Sequence, residues 1–392
     1  MRKILFLLGF IIIGQLNAQS VYVEDRKIFV DGEEYRINGI CYARGEGNGE
    51  NSGYTFNDDI PLLVDANINT IRTYAAITNV TELNAFANAG IKVIMMLNEN
   101  SYTWYVNQFK DHPAILMWEF GNEFNYHPEW FGNNIQNWYD ILEDRASNVK
   151  SLDPDHPVST GHGEVPDGQA LNSCPSVDVW GMNIYRWLSP DSAINELAAV
   201  TEKAIYISEA GADSFNINSN SENELQQAQA TEIILNAIIA KSDLCIGVTL
   251  FEFCDEWWKA GNPNQQDPGG FSNAIPYDNF ANEEYWGIVT RDRVPKEAYY
   301  VVQEIYENTS LSINENILDI SIYPNPVSDG FLNIINKSNK PLNISIFDMN
   351  GRKVMSEKIT FDSINISNLS TGIYSLLISN GEKSTIKKIV IK

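Results

Sequence analysis

The chain has 392 residues, 44% hydrophobic and 11% aromatic, which suits a large buried core and excludes a disordered polymer. Its 51 acidic residues outnumber 27 basic ones, and the resulting charge of −24 repels nucleic acid and anionic lipid over roughly a Debye length of 8 Å. Nucleic acid is therefore not an expected partner, and the length favours one large domain with a smaller one.

At the start, MRKILFLLGFIIIGQLNA (residues 1–18) has a basic beginning at Arg2 and Lys3, an apolar run over 4–13 and a small residue, Ala18. That pattern predicts a secretory signal peptide cut after Ala18. The run is shorter than the ~20 residues a bilayer crossing needs, and no later stretch supplies a transmembrane segment. In an exported chain Cys41, Cys174, Cys245 and Cys254 permit disulfides but are too sparse for a disulfide scaffold. Cys245 and Cys254 flank one predicted strand, so at about 3.3 Å per residue they lie roughly 30 Å apart, too far to pair. Buried thiols are expected.

VYVEDRKIFVDGEEYRI, with its Asp31-Gly32 turn signal, predicts a hairpin. Eight short apolar runs follow, at residues 35–42, 69–74, 91–97, 114–120, 157–160, 177–185, 204–208 and 246–253. Between them lie segments of helical character, such as DDIPLLVDAN, NQFKDH and SENELQQAQATEIILNAIIAKS. Strands apolar on both faces that alternate with helices belong to a covered parallel sheet, and eight such units predict an α/β fold of the (β/α)8 TIM barrel type. The fifth unit is the weakest, because PVSTGHGEVPDGQALNSCPS offers a poor strand and no clear helix. The barrel with its hairpin is assigned to residues 19–308, and a polar, Asn-rich linker to 309–318.

Residues 319–392 show short alternating strands broken by Asn-Gly and Asp-Gly turns, the pattern of a small all-β sandwich. YPNP (323–326), IFDMNGRKV (346–354), LSTGIY (369–374) and the basic end KKIVIK make this tail resemble the C-terminal sorting domain of the type IX secretion system. The resemblance implies the type IX machinery as a partner, and a product that is secreted or held at the cell surface.

Two carboxylates carry the chemistry. Asn122 and Glu123 follow the fourth strand, and Glu209 follows the seventh, at the C-terminal strand ends where barrel active sites are built. In a barrel of eight these strands lie nearly opposite one another, so the two glutamates can face each other across the cleft. Glycoside hydrolysis needs such a pair: one protonates the leaving oxygen and the other attacks the anomeric carbon. Arg72 and Tyr185, at the ends of strands two and six, are placed to donate hydrogen bonds to Glu209 and are also assigned as substrate contacts. The plainer alternative is that Glu123 caps a helix and Glu209 forms a structural ion pair with Arg72.

KDHPAILMWEFGNE (110–123) and YISEAG (206–211) resemble the strand-four and strand-seven blocks of glycoside hydrolase clan A. The resemblance implies a retaining enzyme with Glu123 as acid/base, Glu209 as nucleophile and Asn122 on the sugar 2-hydroxyl. YRINGICY, INTIRTYAAI and IYISEAGADSF look most like the β-1,3-glucanase and glucanosyltransferase type, with mannanase and galactosidase or glucuronidase relatives left open. Among the aromatics at strand ends, Trp257, Trp258 and Trp286 are the expected subsite walls, while Trp118, inside its strand, is expected in the core. The glycine-rich GEGNG (45–49) reads as a rim of the cleft.

Four histidines without HExxH or Cys-x-x-Cys spacing predict no protein metal site, although calcium at Asp255, Glu256 or loop oxygens stays open. No cofactor is needed, since the carboxylates supply both nucleophile and proton. The expected function is secreted, retaining β-glycoside hydrolysis of a β-linked polysaccharide, with β-glucan foremost. The alternatives are transglycosylation at the same site and non-catalytic glycan binding.

Overall fold

The computed structural model describes residues 20–43, 53–313 and 320–392, the last without 329, 337–340, 349–351, 360–362 and 381–383. The signal peptide, the GEGNG rim and positions 314–318 of the linker lie outside the described residues. The chain divides into two compact units, residues 1–307 and 308–392.

In the first unit eight strands form a closed barrel. In chain order they are strand 1 (Ile37–Cys41), strand 2 (Thr70–Arg72), strand 3 (Lys92–Leu97), strand 4 (Ile115–Asn122), strand 5 (Val158–Gly163), strand 6 (Val179–Asn183), strand 7 (Ala204–Glu209) and strand 8 (Gly247–Leu250). All neighbours are parallel, and strand 8 closes on strand 1 through Gly247 opposite Ile37. Nearly every strand residue is buried, because helices cover the outer face and side chains fill the inside. Trp118 is fully buried, as its place within strand 4 predicts.

A helix follows each strand: Phe56–Asp65, Val80–Asn88, Tyr102–Phe109, Ile135–Leu152, Gly168–Ser173, Asp191–Ala198, Glu224–Ile239 and Glu297–Ile313. The fifth unit is more regular than its sequence suggests. Its strand is buried throughout, and Asp167 caps the short helix by accepting the Ala170 N–H at 2.9 Å. The last helix runs to Ile313, past the start assigned to the linker.

The N-terminal segment forms three antiparallel strands, Val21–Glu24, Lys27–Val30 and Glu33–Tyr35. Asp31 and Gly32, at φ 53° and 86°, make the predicted turn. Val21 and Ile28 pack with Ile37, Val179, Ala204 and Ile246, at or next to strand starts, so this sheet covers the end of the barrel away from Glu123 and Glu209. All four cysteines are buried thiols.

From Ile320 on, the described residues of the second unit form a three-stranded and a four-stranded antiparallel sheet around Leu332, Ile344, Ile346, Leu376, Ile378 and Ile389. Among the described residues no helix is long and apolar enough to cross a membrane.

Candidate active site

Strand 4 ends by bending sharply. Gly121 sits at φ 72° and Glu123 at φ 57°, a left-handed conformation uncommon for a residue with a side chain. The Glu123 N–H donates to Gly161 O at 2.8 Å, fixing the bend against strand 5. The Glu123 side chain makes no capping bond to the 3-10 turn Phe124–Tyr126 that follows, so a side-chain cap does not account for it. Its Oε1 instead accepts a hydrogen bond from Asn183 Nδ2 at 3.2 Å.

Glu209, the last residue of strand 7, is 5% exposed and receives three donors. Arg72 Nη1 and Tyr74 Oη reach Oε1 at 2.8 and 2.7 Å, and Tyr185 Oη reaches Oε2 at 2.9 Å. Arg72 and Tyr185 thus stand where their strand-end positions place them, and Tyr74 adds a donor.

Arg72 is fully buried, which corrects its assignment as a substrate contact. Its Nε donates to Glu119 at 2.7 Å, its Nη1 to Glu209 and Tyr74, and its Nη2 to Asn122 Oδ1 at 2.8 Å. Glu119 Oε2 accepts from Ser159 Oγ at 3.0 Å and from Tyr206 Oη. Burial opposes the guanidinium charge, but Glu119, Tyr74, Tyr206 and Glu209 outweigh it and Arg72 stays charged. A Cβ on Gly161 would collide with Arg72 Nη2, so strand 5 needs glycine there to seat the guanidinium.

Asn122 Oδ1 is taken by Arg72 and by Asn183 Nδ2 at 3.1 Å, so its amide N–H2 is the group presented to the cavity. Asn183 is itself oriented by Ser208 Oγ, which donates to its Oδ1 at 2.6 Å. Asn183 and Glu119 are not among the site residues expected from sequence, and Tyr74 is read there only as one of the aromatics at strand ends. Each carries a legible signal: a polar residue closing strand 6, a tyrosine two places past an arginine, and a carboxylate inside an apolar run.

A cavity of about 530 Å3 opens over these residues, a size typical of small-molecule sites. It is lined by Asn122, Glu123, Tyr185, Glu209, Trp258 and Trp286, all expected from sequence, together with Tyr74, Tyr126, Asn183, Phe251 and Phe271. Trp286 lies edge-on to Tyr185 and Phe251, with ring centres 5.4 and 5.3 Å away, and builds one wall. Trp257 is absent from the lining. Its ring lies under the Arg291 guanidinium at 4.8 Å, because adjacent tryptophans turn to different sides. Asp255 and Glu256 are engaged by Lys296 at 2.8 Å and Lys259 at 2.7 Å.

The two facing carboxyls differ electrostatically. Burial, and then the Glu209 charge, push Glu123 up to about 7, against the lowering effect of Asn183. The arrangement can therefore hold a proton on one carboxyl while the other, charge-balanced by Arg72, offers an oxygen to the cavity.

Against known proteins, residues 321–392 match the secretion system C-terminal sorting domain, and residues 95–311 match the TIM barrel domain of glycosyl hydrolases family 2. Mannan endo-1,4-beta-mannosidase F of Aspergillus clavatus is 35% identical over 88 residues, 20% of this chain and 19% of its own. Among solved structures, the GH2 beta-galacturonidase of Eisenbergiella tayi aligns at 23% identity and TM-score 0.54, over 74% of this chain and 54% of that one. The beta-D-glucuronidase of Dictyoglomus thermophilum aligns at 16% identity and TM-score 0.57, over 74% and 53%. The chain spans about half the length of these structures, and at such identities the likeness shows the fold alone. The family match does not single out the β-1,3-glucanase type; strand-end blocks are shared by many barrels, whereas substrate choice resides in the loops. Because the barrel match covers more than half of its length, the chain belongs to glycosyl hydrolases family 2.

Proposed function

We propose that the protein is an exported retaining β-glycoside hydrolase, with Glu209 as nucleophile and Glu123 as acid/base. One observation carries this reading: two glutamates share a cavity, three donors converge on one of them, and the other is pushed up to about 7.

In the first step a Glu209 oxygen bonds to the anomeric carbon as the glycosidic C–O bond breaks, and the Glu123 proton passes to the leaving oxygen. The resulting Glu123 carboxylate then takes a proton from water, whose oxygen attacks the anomeric carbon and releases Glu209. Arg72, Tyr74 and Tyr185 orient the nucleophile, and Asn122 N–H2 faces the sugar hydroxyl next to the reacting carbon. Tyr126, Trp258, Phe271 and Trp286 give flat apolar surfaces suited to sugar faces.

The sorting-domain match supports release to the cell surface or the medium through the type IX machinery. The substrate proposed is a β-linked glycan, with β-glucan and β-mannan as its candidate forms. A transglycosylase would use the same intermediate, with an acceptor sugar in place of water.

Product analysis on β-glucans, mannan and algal galactans, run beside a Glu209→Ala variant, tests the proposal. Oligosaccharides or sugars formed only by the unsubstituted chain support it. Binding of one polysaccharide with no products from any would favour the glycan-binding alternative.

A further inference from the structure

The cavity that holds Glu123 and Glu209 has a second group of charges on its wall. Glu252 and Glu256, each 2% exposed, both line it, and Lys259 stands between them. The Lys259 ammonium has three protons to donate. It lies 2.8 Å from Glu252 Oε1, 2.8 Å from Glu252 Oε2 and 2.7 Å from Glu256 Oε2. Its remaining face rests on the Phe251 ring, 4.3 Å from the centre. Two carboxylates and an aromatic ring thus engage this cation.

Lys259 is the only basic residue in the described lining, which also holds the carboxyl groups of Glu123, Glu164, Glu209, Glu252, Glu256 and Glu283. Two nearby arginines among the described residues are engaged as well. Arg72 lies buried on Glu119 and Glu209, and Arg186 is held by Glu164 and Glu196. Burial and the Glu256 charge drive Glu252 upward, so the pair and Lys259 together offer no excess positive charge. Glu283 feels both Lys259 and Glu209, which puts the lysine cluster within electrostatic reach of the reacting carboxylates.

Recognition of a sugar carboxylate needs an available cation or a set of unfilled N–H donors. An anionic sugar here would meet like charges in a partly desolvated site, with the one lysine of the described lining already paired to two carboxylates. A neutral sugar meets the opposite situation, since its hydroxyls are donors and the wall is rich in carboxylate acceptors.

We propose that this cavity accepts uncharged glycosyl residues and rejects hexuronates, with Glu252 and Glu256 setting that specificity by holding Lys259 away from the sugar. The inference rests on the reading of this cavity as the sugar site.

The test is calorimetric titration of the full chain carrying Glu209→Ala, which blocks turnover, with p-nitrophenyl β-glucoside, β-galactoside and β-mannoside and with the matching β-glucuronide and β-galacturonide. The expected result is that at least one neutral glycoside binds about tenfold or more tighter than its uronide, a gap that narrows as salt is raised. Adding Glu252→Gln and Glu256→Gln should free Lys259 and shrink the gap about tenfold. Equal or tighter uronide binding by the singly substituted chain overturns the inference, as does the failure of every neutral glycoside to bind. So does an unchanged gap in a triple variant with normal circular dichroism. The comparison in the singly substituted chain does not depend on whether the triple variant folds. Turnover is scored separately on the unsubstituted chain, where selective binding without hydrolysis would remove the hydrolase reading and leave this inference standing.

Discussion

Tyr185 donates to Glu209 Oε2 at 2.9 Å, on the opposite oxygen from the one held by Arg72 and Tyr74. The carboxylate is thereby fixed from both sides, and each donor can be removed separately. A hydrogen bond to a charged group contributes about 1.5–3 kcal/mol, so Tyr185→Phe should lower kcat/KM by about 10- to 100-fold with the fold unchanged. Steady-state kinetics beside circular dichroism would check this, and a near-normal rate would remove Tyr185 from the positioning set.

Glu119 supports the site from below. Its pair with Arg72 is fully buried, and deleting one partner of such a pair costs about 3–5 kcal/mol because the other charge is left uncompensated. Glu119→Ala should therefore lose stability of that order and also lose activity, as Arg72 shifts away from Glu209. Chemical denaturation of the barrel reads the first effect; a change below about 1 kcal/mol would mean that water replaces the carboxylate.

The elevated Glu123 carboxyl fixes two pH dependences. As the proposed acid it must be protonated, so kcat/KM should fall as pH rises through about 7. Folding also favours its protonated form, because the folded value lies above the ordinary carboxyl value of 4.5. Its stabilising contribution is present at low pH and lost as pH rises toward about 7. Glu123→Gln, which cannot ionise, should gain in melting temperature relative to the unsubstituted chain between about pH 5 and pH 8. A constant difference across that range would contradict the environment assigned to Glu123. Glu123→Ala should also slow substrates with poor leaving groups most, since good ones need little protonation.

Gly161→Ala tests the seat of Arg72. The added Cβ would meet Nη2, so the guanidinium must move and Glu209 loses its charged partner. Activity should fall by a larger factor than stability accounts for, measured as kcat/KM against the unfolding midpoint. A fully active Gly161→Ala chain would show that the guanidinium can shift without disturbing Glu209.

Much of the barrel is legible because its strands are continuous apolar runs, and Glu123, Glu209 and Tyr185 are legible because strand ends map directly to the cleft. Strand 5 is obscured by Gly161 and Gly163. Glycine reads as a loop signal in sequence, yet here it makes room for Arg72 and for the Tyr126 ring. Arg72 is half legible: its strand end predicts contact with Glu209, while its burial depends on Glu119, which sequence hides within an apolar run. Trp257 and Trp258 are indistinguishable in sequence, and only the turn after Phe253 decides that Trp258 lines the cavity. The Glu252, Glu256 and Lys259 cluster depends on that same turn, so no strand pattern announces it.

Glu209 is the residue proposed to form the covalent bond to sugar. Incubation with activated 2-deoxy-2-fluoro glycosides, followed by peptide mass spectrometry, tests it most directly, because the fluorine slows release of the glycosyl-enzyme. The account predicts one sugar per chain, on the peptide that contains Glu209, and no label in Glu209→Ala. A sugar on Glu123 or Glu252, or turnover of these reagents with no covalent species, would contradict it.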